Sequence, residues 1–151
     1  MTTPLPYDPG VLPHLPAPKP GTDLIIRVDG FPPIKDRSRS IRNRTHKLHE
    51  RFIALRRVAI DVMAGRAWTH QPVSLELKLH APALEEGLAL LDYEAGIMDT
   101  LDGSHGTHFT FLPVVYNDDC QIALLKARFE KADRPHYEIK LTILAGRTHA
   151  A

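Results

Sequence analysis

The stretch LDYEAGIMDTLDGSHGTHFTFLPVVYNDDCQ, residues 91–121, holds the acidic side chains around which the chain is organised. Its six carboxylates are Asp92, Glu94, Asp99, Asp102, Asp118 and Asp119. No Lys or Arg occurs between Lys78 and Lys126, and carboxylates a few ångströms apart repel unless a proton or a cation joins them. If these acids converge, we therefore expect them to hold a hard divalent ion such as Mg²⁺ or Mn²⁺. The alternative, which spacing alone leaves open, is a solvated acidic loop and helix face.

The composition is that of a single soluble domain. The chain has 151 residues, 43% hydrophobic and 25% charged, which is ordinary for a globular protein with a real core. No apolar run approaches the roughly 20 residues that a membrane span needs, and the N-terminus lacks the pattern of a signal peptide. A single cysteine, Cys120, excludes an internal disulfide and fits a reducing compartment. We therefore expect a cytoplasmic protein.

The net charge of +1 conceals a segregation of charge along the chain. Residues 24–66 contain eleven Lys and Arg against four acids, whereas residues 84–119 contain eight acids and no Lys or Arg. A basic half and an acidic half suit a polyanion that one half binds, through neutralised phosphates, and the other half cleaves with a metal ion. Such charge blocks also occur on idle surfaces.

The first half of the chain predicts an arm, a strand and a helix. Seven prolines in residues 1–21 predict an extended, disordered arm over 1–22. The apolar alternation of residues 23–31 predicts a strand that Gly30 and the following prolines end. A helix is predicted over 46–64, with Thr45 as its cap and Gly65 as its stop. Its buried stripe comprises Leu48, Phe52, Leu55, Ala59 and Val62, with Lys47, Arg51 and Arg56 on other faces.

The second half predicts strands around one more helix. Residues 72–81 alternate as a half-exposed strand with His80 outward, as a surface residue. A helix is predicted over 84–101, with Asp92 and Asp99 two turns apart on one face, and strands over 109–116, 121–130 and 137–144. The expected fold is therefore a single α+β domain over 23–145, with a mixed or antiparallel sheet packed against two helices. Residues 146–151 are expected to form a tail.

The segment IKDRSRSIRNR, residues 34–44, is predicted to lie along a phosphate backbone. It carries Lys35, Arg37, Arg39, Arg42 and Arg44 in ten residues, with no aromatic residue to stack on bases. We therefore expect backbone binding without sequence readout, with a solvated loop as the alternative. Lys126 and Arg128, on the strand after the acidic stretch, are further candidates for phosphate contact and are equally compatible with ordinary surface charge.

Two motifs, GIMDTLDG and YNDDCQI, make the chain resemble the RusA family of Holliday-junction resolvases. The strand ending in a Gly-Phe-Pro-Pro turn with basic residues after it adds to the likeness, which covers residues 24–144. The family pattern is Asp-x-Asp-Asn-Leu-x-Lys-x-x-x-Asp-x-Leu, followed by Asp-Asp-x-Gln-Val. The resemblance implies a homodimeric, Mg²⁺-dependent endonuclease that resolves four-way DNA junctions in recombination and repair, often encoded in prophages.

The family's catalytic acids are the first two Asp of the pattern and the second Asp of the Asp-Asp pair. The last falls on Asp119, with Asp118 beside it as a further metal ligand. In one placement Asp92 and Glu94 take the first two positions. In the other, Asp99 takes the helix Asp, and the two ligand positions become Ala89 and Leu91. Asp119 then keeps Asp92, and Glu85 or Glu86, as partners. The family Lys is missing in both placements.

Other chemistries have weaker support in the sequence. His105 and His108, in the HGTH loop, are a weak Zn²⁺ signal, and nothing places a His beside Cys120 to activate it as a nucleophile. Two alternatives to an active nuclease stay open. One is a relative that binds DNA junctions without cleaving them. The other is a non-enzymic interaction domain whose acidic stretch binds a basic partner protein.

Overall fold

The computed structural model describes residues 12–35, 40–103 and 112–146. Within these ranges the strands are β1 (Asp23–Asp29), β2 (Val73–Ala81), β3 (Ile122–Lys131) and β4 (His136–Ile143). The helices are α1 (His49–Met63) and α2 (Leu90–Leu101), and a single 3₁₀ turn, Asp119–Gln121, precedes β3. The expected single α+β domain with two helices is confirmed.

The sheet is mixed and has the strand order β1-β4-β2-β3. β4 pairs antiparallel with β1 and with β2, whereas β3 pairs parallel with β2 and forms an edge. Parallel neighbours require a long crossover, and here residues 82–121 supply it. The crossover contains α2 and the six carboxylates of residues 91–121. These acids therefore lie between the end of β2 and the start of β3.

One face of the sheet and the two helices form the core. Alternate residues of β1, β2 and β4 are fully or almost fully buried, among them Ile26, Leu77 and Ile139. They pack in one cluster with Leu55 of α1 and Ile97 of α2. The other face of the sheet carries the polar residues of the same alternation, as expected for a sheet covered on one side.

The first helix is shorter than predicted and buries one of its cations. It begins at His49 with Leu48 as the N-cap residue, and the Thr45 hydroxyl donates to Asn43 instead of capping the helix. Arg56, expected on an outer face, is 0% exposed. Its guanidinium donates to the carbonyls of Thr100 and Leu112, which explains how the core accommodates a charge.

Two further predictions differ from the structure. The second helix begins at Leu90 instead of residue 84, because the chain turns through Gly87 at φ +79° just before it. Residues 112–116 do not form the predicted strand. Within them Tyr116 makes a single bridge to Thr69, and the remaining residues of that predicted strand, 109–111, lie outside the described residues.

The described part of the proline-rich arm lies against the domain. The backbone N–H groups of His14 and Leu15 both donate to the carbonyl of Gly65, and Ala67 donates back to Leu15. Of the expected arm, residues 1–11 lie outside the described residues. None of the helices in the described ranges is long and apolar enough to cross a membrane.

Candidate metal centre

Three carboxylates converge where α2 ends and β3 begins. Asp99, Asp102 and Asp119 each offer an oxygen, and these oxygens all lie within 4.8 Å of one another. We call this group the acid cluster. Within the described ranges it is the only group of three or more His, Cys, Asp or Glu side chains that meets this distance. Asp102 is buried, while Asp99 and Asp119 keep contact with solvent.

The end of α2 is fixed to the segment that leads to Asp119. The backbone N–H groups of Val114 and Val115 both donate to the carbonyl of Leu101, satisfying an acceptor that the helix end leaves open. The Tyr116 hydroxyl donates to the carbonyl of Met98 at 2.9 Å. These bonds join the end of α2 to residues 114–116, so they help to set the spacing of Asp99 and Asp102 from Asp119.

Gln121 holds the turn that presents Asp119. Its side-chain oxygen accepts from the backbone N–H groups of Asn117 and Asp118, and its side-chain nitrogen donates to the carbonyls of Thr69 and Gln71. Gln121 is 5% exposed, so its amide is fully used inside the protein. The Asp118 carboxylate caps the turn by accepting from Cys120 N–H at 3.0 Å. The Asn-Asp-Asp-Cys-Gln sequence therefore forms one braced turn.

Gly96 lets a second segment reach the acid cluster. A Cβ at this position would lie 2.1 Å from the carbonyl oxygen of Pro33, so the backbone of residues 33–34 crosses α2 in direct contact with the glycine. This close approach explains a glycine inside a helix, where it costs about 1 kcal/mol relative to Ala. It carries Lys35 to Asp99, one turn further along α2, with the Lys35 nitrogen 3.8 Å from the carboxylate.

A second cation, Arg42, also reaches the acid cluster from the basic segment of the chain, residues 24–66. The guanidinium of Arg42 donates to the Asp102 carboxylate at 2.8 Å and also to the carbonyl of Asp99. The expectation that converging acids would lack a counter-cation is therefore wrong. Residues 79–125 contain no Lys or Arg, but the fold brings the side chains of Lys35 and Arg42 to the acids. Neither ion pair can be predicted from the spacing of residues near the acids.

The two cations do not neutralise the site. Burial, followed by the charges of the neighbouring acids, raises the pKa of Asp102 from 3.8 to about 7 despite the opposing effect of Arg42. Burial also raises the pKa of Asp119, together with a hydrogen bond and repulsion from Asp118, while Lys35 acts in the opposite direction. The cluster also has three carboxylates against these two cations, and a bound cation would offset the repulsion between the acids.

Asp92 and Glu94, expected beside Asp119, lie elsewhere. Asp92 accepts from the backbone N–H of Ala89 at 2.7 Å and so caps the start of α2. It precedes Asp99 by seven residues, or about 10 Å of helix rise. Glu94 is 8% exposed, and burial raises its pKa. Neither belongs to the acid cluster. Of the predicted metal ligands, Asp119 alone belongs to it, with Asp118 as its neighbour.

The other partners expected for Asp119, Glu85 and Glu86, do not belong to the acid cluster either, and Glu86 is exposed. Glu85 makes a bidentate pair with Arg51, at 2.7 and 2.8 Å, and accepts from the Tyr93 hydroxyl. The residues that sequence reasoning missed are Asp99 and Asp102. Asp99 and Asp102 are three residues apart, which places them on one face at the end of a helix. This spacing could have indicated that the two carboxylates lie close together.

The predicted DNA-binding residues fall into three groups. Arg37 and Arg39 lie outside the described residues. Lys35 and Arg42 turn toward the acid cluster, and the Arg42 side chain is only 17% exposed, which removes it from the surface. Arg44 is exposed. Lys126 and Arg128 lie exposed on the edge strand β3, where Arg128 pairs with Glu130 at 3.0 Å.

The possible Zn²⁺ ligands His105 and His108 also lie outside the described residues. Cys120 is exposed, and desolvation of its sulfur by neighbouring atoms, followed by the charge of Asp118, raises the pKa of its thiol, the opposite of what an activated thiolate needs. No protein-family model matches the chain, and no curated protein matches it at a significant level.

Proposed function

We propose that this protein is a divalent-metal-dependent endodeoxyribonuclease acting on branched DNA such as four-way junctions. The acid cluster carries the proposal. Three carboxylates within 4.8 Å form an all-oxygen donor set, which suits Mg²⁺ or Mn²⁺, and the pKa of two of them is raised by burial and mutual repulsion. The donor set and the excess charge both fit such an ion.

In the active protein Asp99, Asp102 and Asp119 would hold the ion. A bound Mg²⁺ would supply charge stabilisation at a phosphodiester and lower the pKa of a water molecule. The chain's own groups complete the site. Arg42 orients Asp102 through its hydrogen bond, and Lys35, a largely exposed side chain whose nitrogen lies 3.8 Å from the Asp99 carboxylate, is placed to contact a phosphate oxygen.

Branched DNA as the substrate is supported by the resemblance of the GIMDTLDG and YNDDCQI motifs, residues 96–103 and 116–122, to RusA resolvases. Exposed cations on one strand, Lys126 and Arg128, add a surface for phosphate contacts. A four-way junction is close to two-fold symmetric, and a symmetric homodimer presents two identical sites to it. We therefore propose that two copies act together.

A second candidate is a protein that binds junctions without cleaving them. Arg42 favours it, because its hydrogen bond at 2.8 Å occupies one oxygen of Asp102 that a metal ion would otherwise use. In this case the cluster holds Lys35 and Arg42 against the end of α2 and has no catalytic role.

Cleavage of a synthetic four-way junction distinguishes the two candidates. The intact protein is expected to nick the junction in Mg²⁺ or Mn²⁺, and Asp119→Asn to abolish nicking while DNA binding persists. Asp92→Asn makes the same charge change outside the cluster and should retain cleavage.

Binding without cleavage by the intact protein in either metal would reject the nuclease and leave the binding protein. Absence of DNA binding at low salt would reject both and favour the non-enzymic interaction domain, since backbone contacts strengthen as salt falls.

A further inference from the structure

Two histidines face each other on the solvent side of the sheet. His80, at the end of β2, is the cross-strand partner of His136, at the start of β4. Their imidazole rings stack with centroids 4.5 Å apart and planes inclined by 1°. His136 is exposed and His80 is partly exposed, so neither ring is fixed by a packed core.

Acids flank this pair in the same row across the sheet. Glu130 of β3 is the partner of His80, and Asp29 of β1 is the partner of His136. The His80 Nδ1 lies 3.5 Å from a Glu130 carboxylate oxygen. The four strands therefore present an acid, two imidazoles and a second acid in one line, and all four side chains point to the same face because they share a register.

A cavity of about 330 Å³ opens over the β1, β4 and β2 part of this row, where its lining includes Asp29, both histidines and Arg27, and Glu130 lies beside His80 outside that lining. The Arg27 guanidinium is paired with Glu138 at 2.9 Å, so its charge is already offset. The space above the histidines is thus large enough for an ion with bound water molecules, and carboxylates border it.

We propose that His80 and His136, together with Glu130, bind a transition-metal ion such as Zn²⁺ at a site separate from the acid cluster. Two imidazoles and a carboxylate form a donor set that Zn²⁺ uses when it keeps a water ligand, whereas Mg²⁺ prefers oxygen ligands. Opposed cross-strand residues have Cβ atoms about 5 Å apart, which lets two imidazole nitrogens meet at one ion with bonds of about 2.1 Å.

Binding requires the stacked rings to rotate, because parallel rings do not direct their lone pairs to one point. Rotation about the terminal torsion of His has a broad energy profile, and it would replace the contact of His80 Nδ1 with Glu130 and the hydrogen bond between His136 Nδ1 and the Arg134 carbonyl. The resulting site would tie β2, β4 and the edge strand β3 together.

The two sites are well separated along β3. Glu130 follows Ile122 by eight residues, which is about 26 Å of extended strand, while Asp119 lies just before the start of that strand. Because an ion that binds only the folded protein stabilises it by mass action, the site has a readout that is independent of DNA cleavage.

Titration of the full chain with Zn²⁺, and with Co²⁺ as a coloured probe, tests this site in excess Mg²⁺. We expect one equivalent of Zn²⁺ to bind the intact protein and raise its melting temperature. Loss of an outer partner alone weakens metal sites about 10- to 100-fold, so His80→Gln and His136→Gln should each weaken binding at least about tenfold. His70→Gln, an exposed histidine elsewhere, is the matched control.

The stabilisation by Mg²⁺ should be unchanged in His80→Gln and His136→Gln, which separates this site from the acid cluster. Zn²⁺ affinity that is the same in the intact protein and in both variants would overturn the proposal, as would an equal loss in His70→Gln.

Discussion

Asp102→Asn is expected to stabilise the metal-free protein at neutral and alkaline pH. In the folded protein the pKa of Asp102 is raised from 3.8 to about 7, so the folded state holds a proton that the unfolded state releases as pH rises. Stability contributed by Asp102 is therefore fully present below about pH 4 and is lost as pH rises through 7. This rise in the pKa of Asp102 corresponds to a loss of at most about 4 kcal/mol of folding stability at high pH.

The expected gain in the free energy of unfolding is smaller, because Asp99 and Asp119 beside Asp102 keep contact with solvent and their charges are partly screened. We expect a gain of about 2 kcal/mol for Asp102→Asn at pH 8, since the neutral amide resembles the protonated acid and can still accept from Arg42. Urea unfolding from pH 4 to pH 8 measures it, with Asp92→Asn as a control that should show no gain. An intact protein whose stability is constant or rises over this range, or a variant less stable at pH 8, would refute the reasoning.

Three further changes test the packing and the surface around the site. Gly96→Ala places a Cβ 2.1 Å from the Pro33 carbonyl oxygen, so we expect a loss of about 1–3 kcal/mol in urea unfolding; an unchanged midpoint would show that residues 33–34 do not press on α2. Gln121→Ala leaves four backbone groups without their partner, and should cost about 2–3 kcal/mol and weaken metal binding; normal metal affinity would mean that this turn does not position Asp119. Lys126→Ala should lower the slope of log affinity for junction DNA against log salt by about 0.9 if its ammonium contacts a phosphate, and an unchanged slope would remove β3 from the DNA surface.

Patterns that depend on local spacing predicted the elements well. The alternation of residues 73–81 and the helical spacing of Phe52, Leu55 and Ala59 both reappear as buried faces. The predicted exposure of Arg56 was wrong because it depends on contacts between distant segments. Arg56 is buried because two carbonyls far along the chain accept its hydrogen bonds, and no period reveals that.

The sequence alone does not show which acids form the acid cluster, because this also depends on contacts between distant segments. Six acids lie in residues 91–121, and which of them meet depends on how the end of α2 is tied to residues 114–117. The same holds for the sheet. His80 was expected outward, but its pairing with His136 follows from a register that joins β2 to β4 across more than fifty residues.

The central claim is that Asp99, Asp102 and Asp119 bind one divalent ion. Calorimetric titration of the intact protein with Mn²⁺ at pH 8, repeated for Asp119→Asn and for Asp92→Asn, tests it most directly. We expect binding by the intact protein and by Asp92→Asn, with affinity reduced at least about tenfold in Asp119→Asn. No measurable binding by the intact protein, or equal affinities in the intact protein and Asp119→Asn, would contradict it.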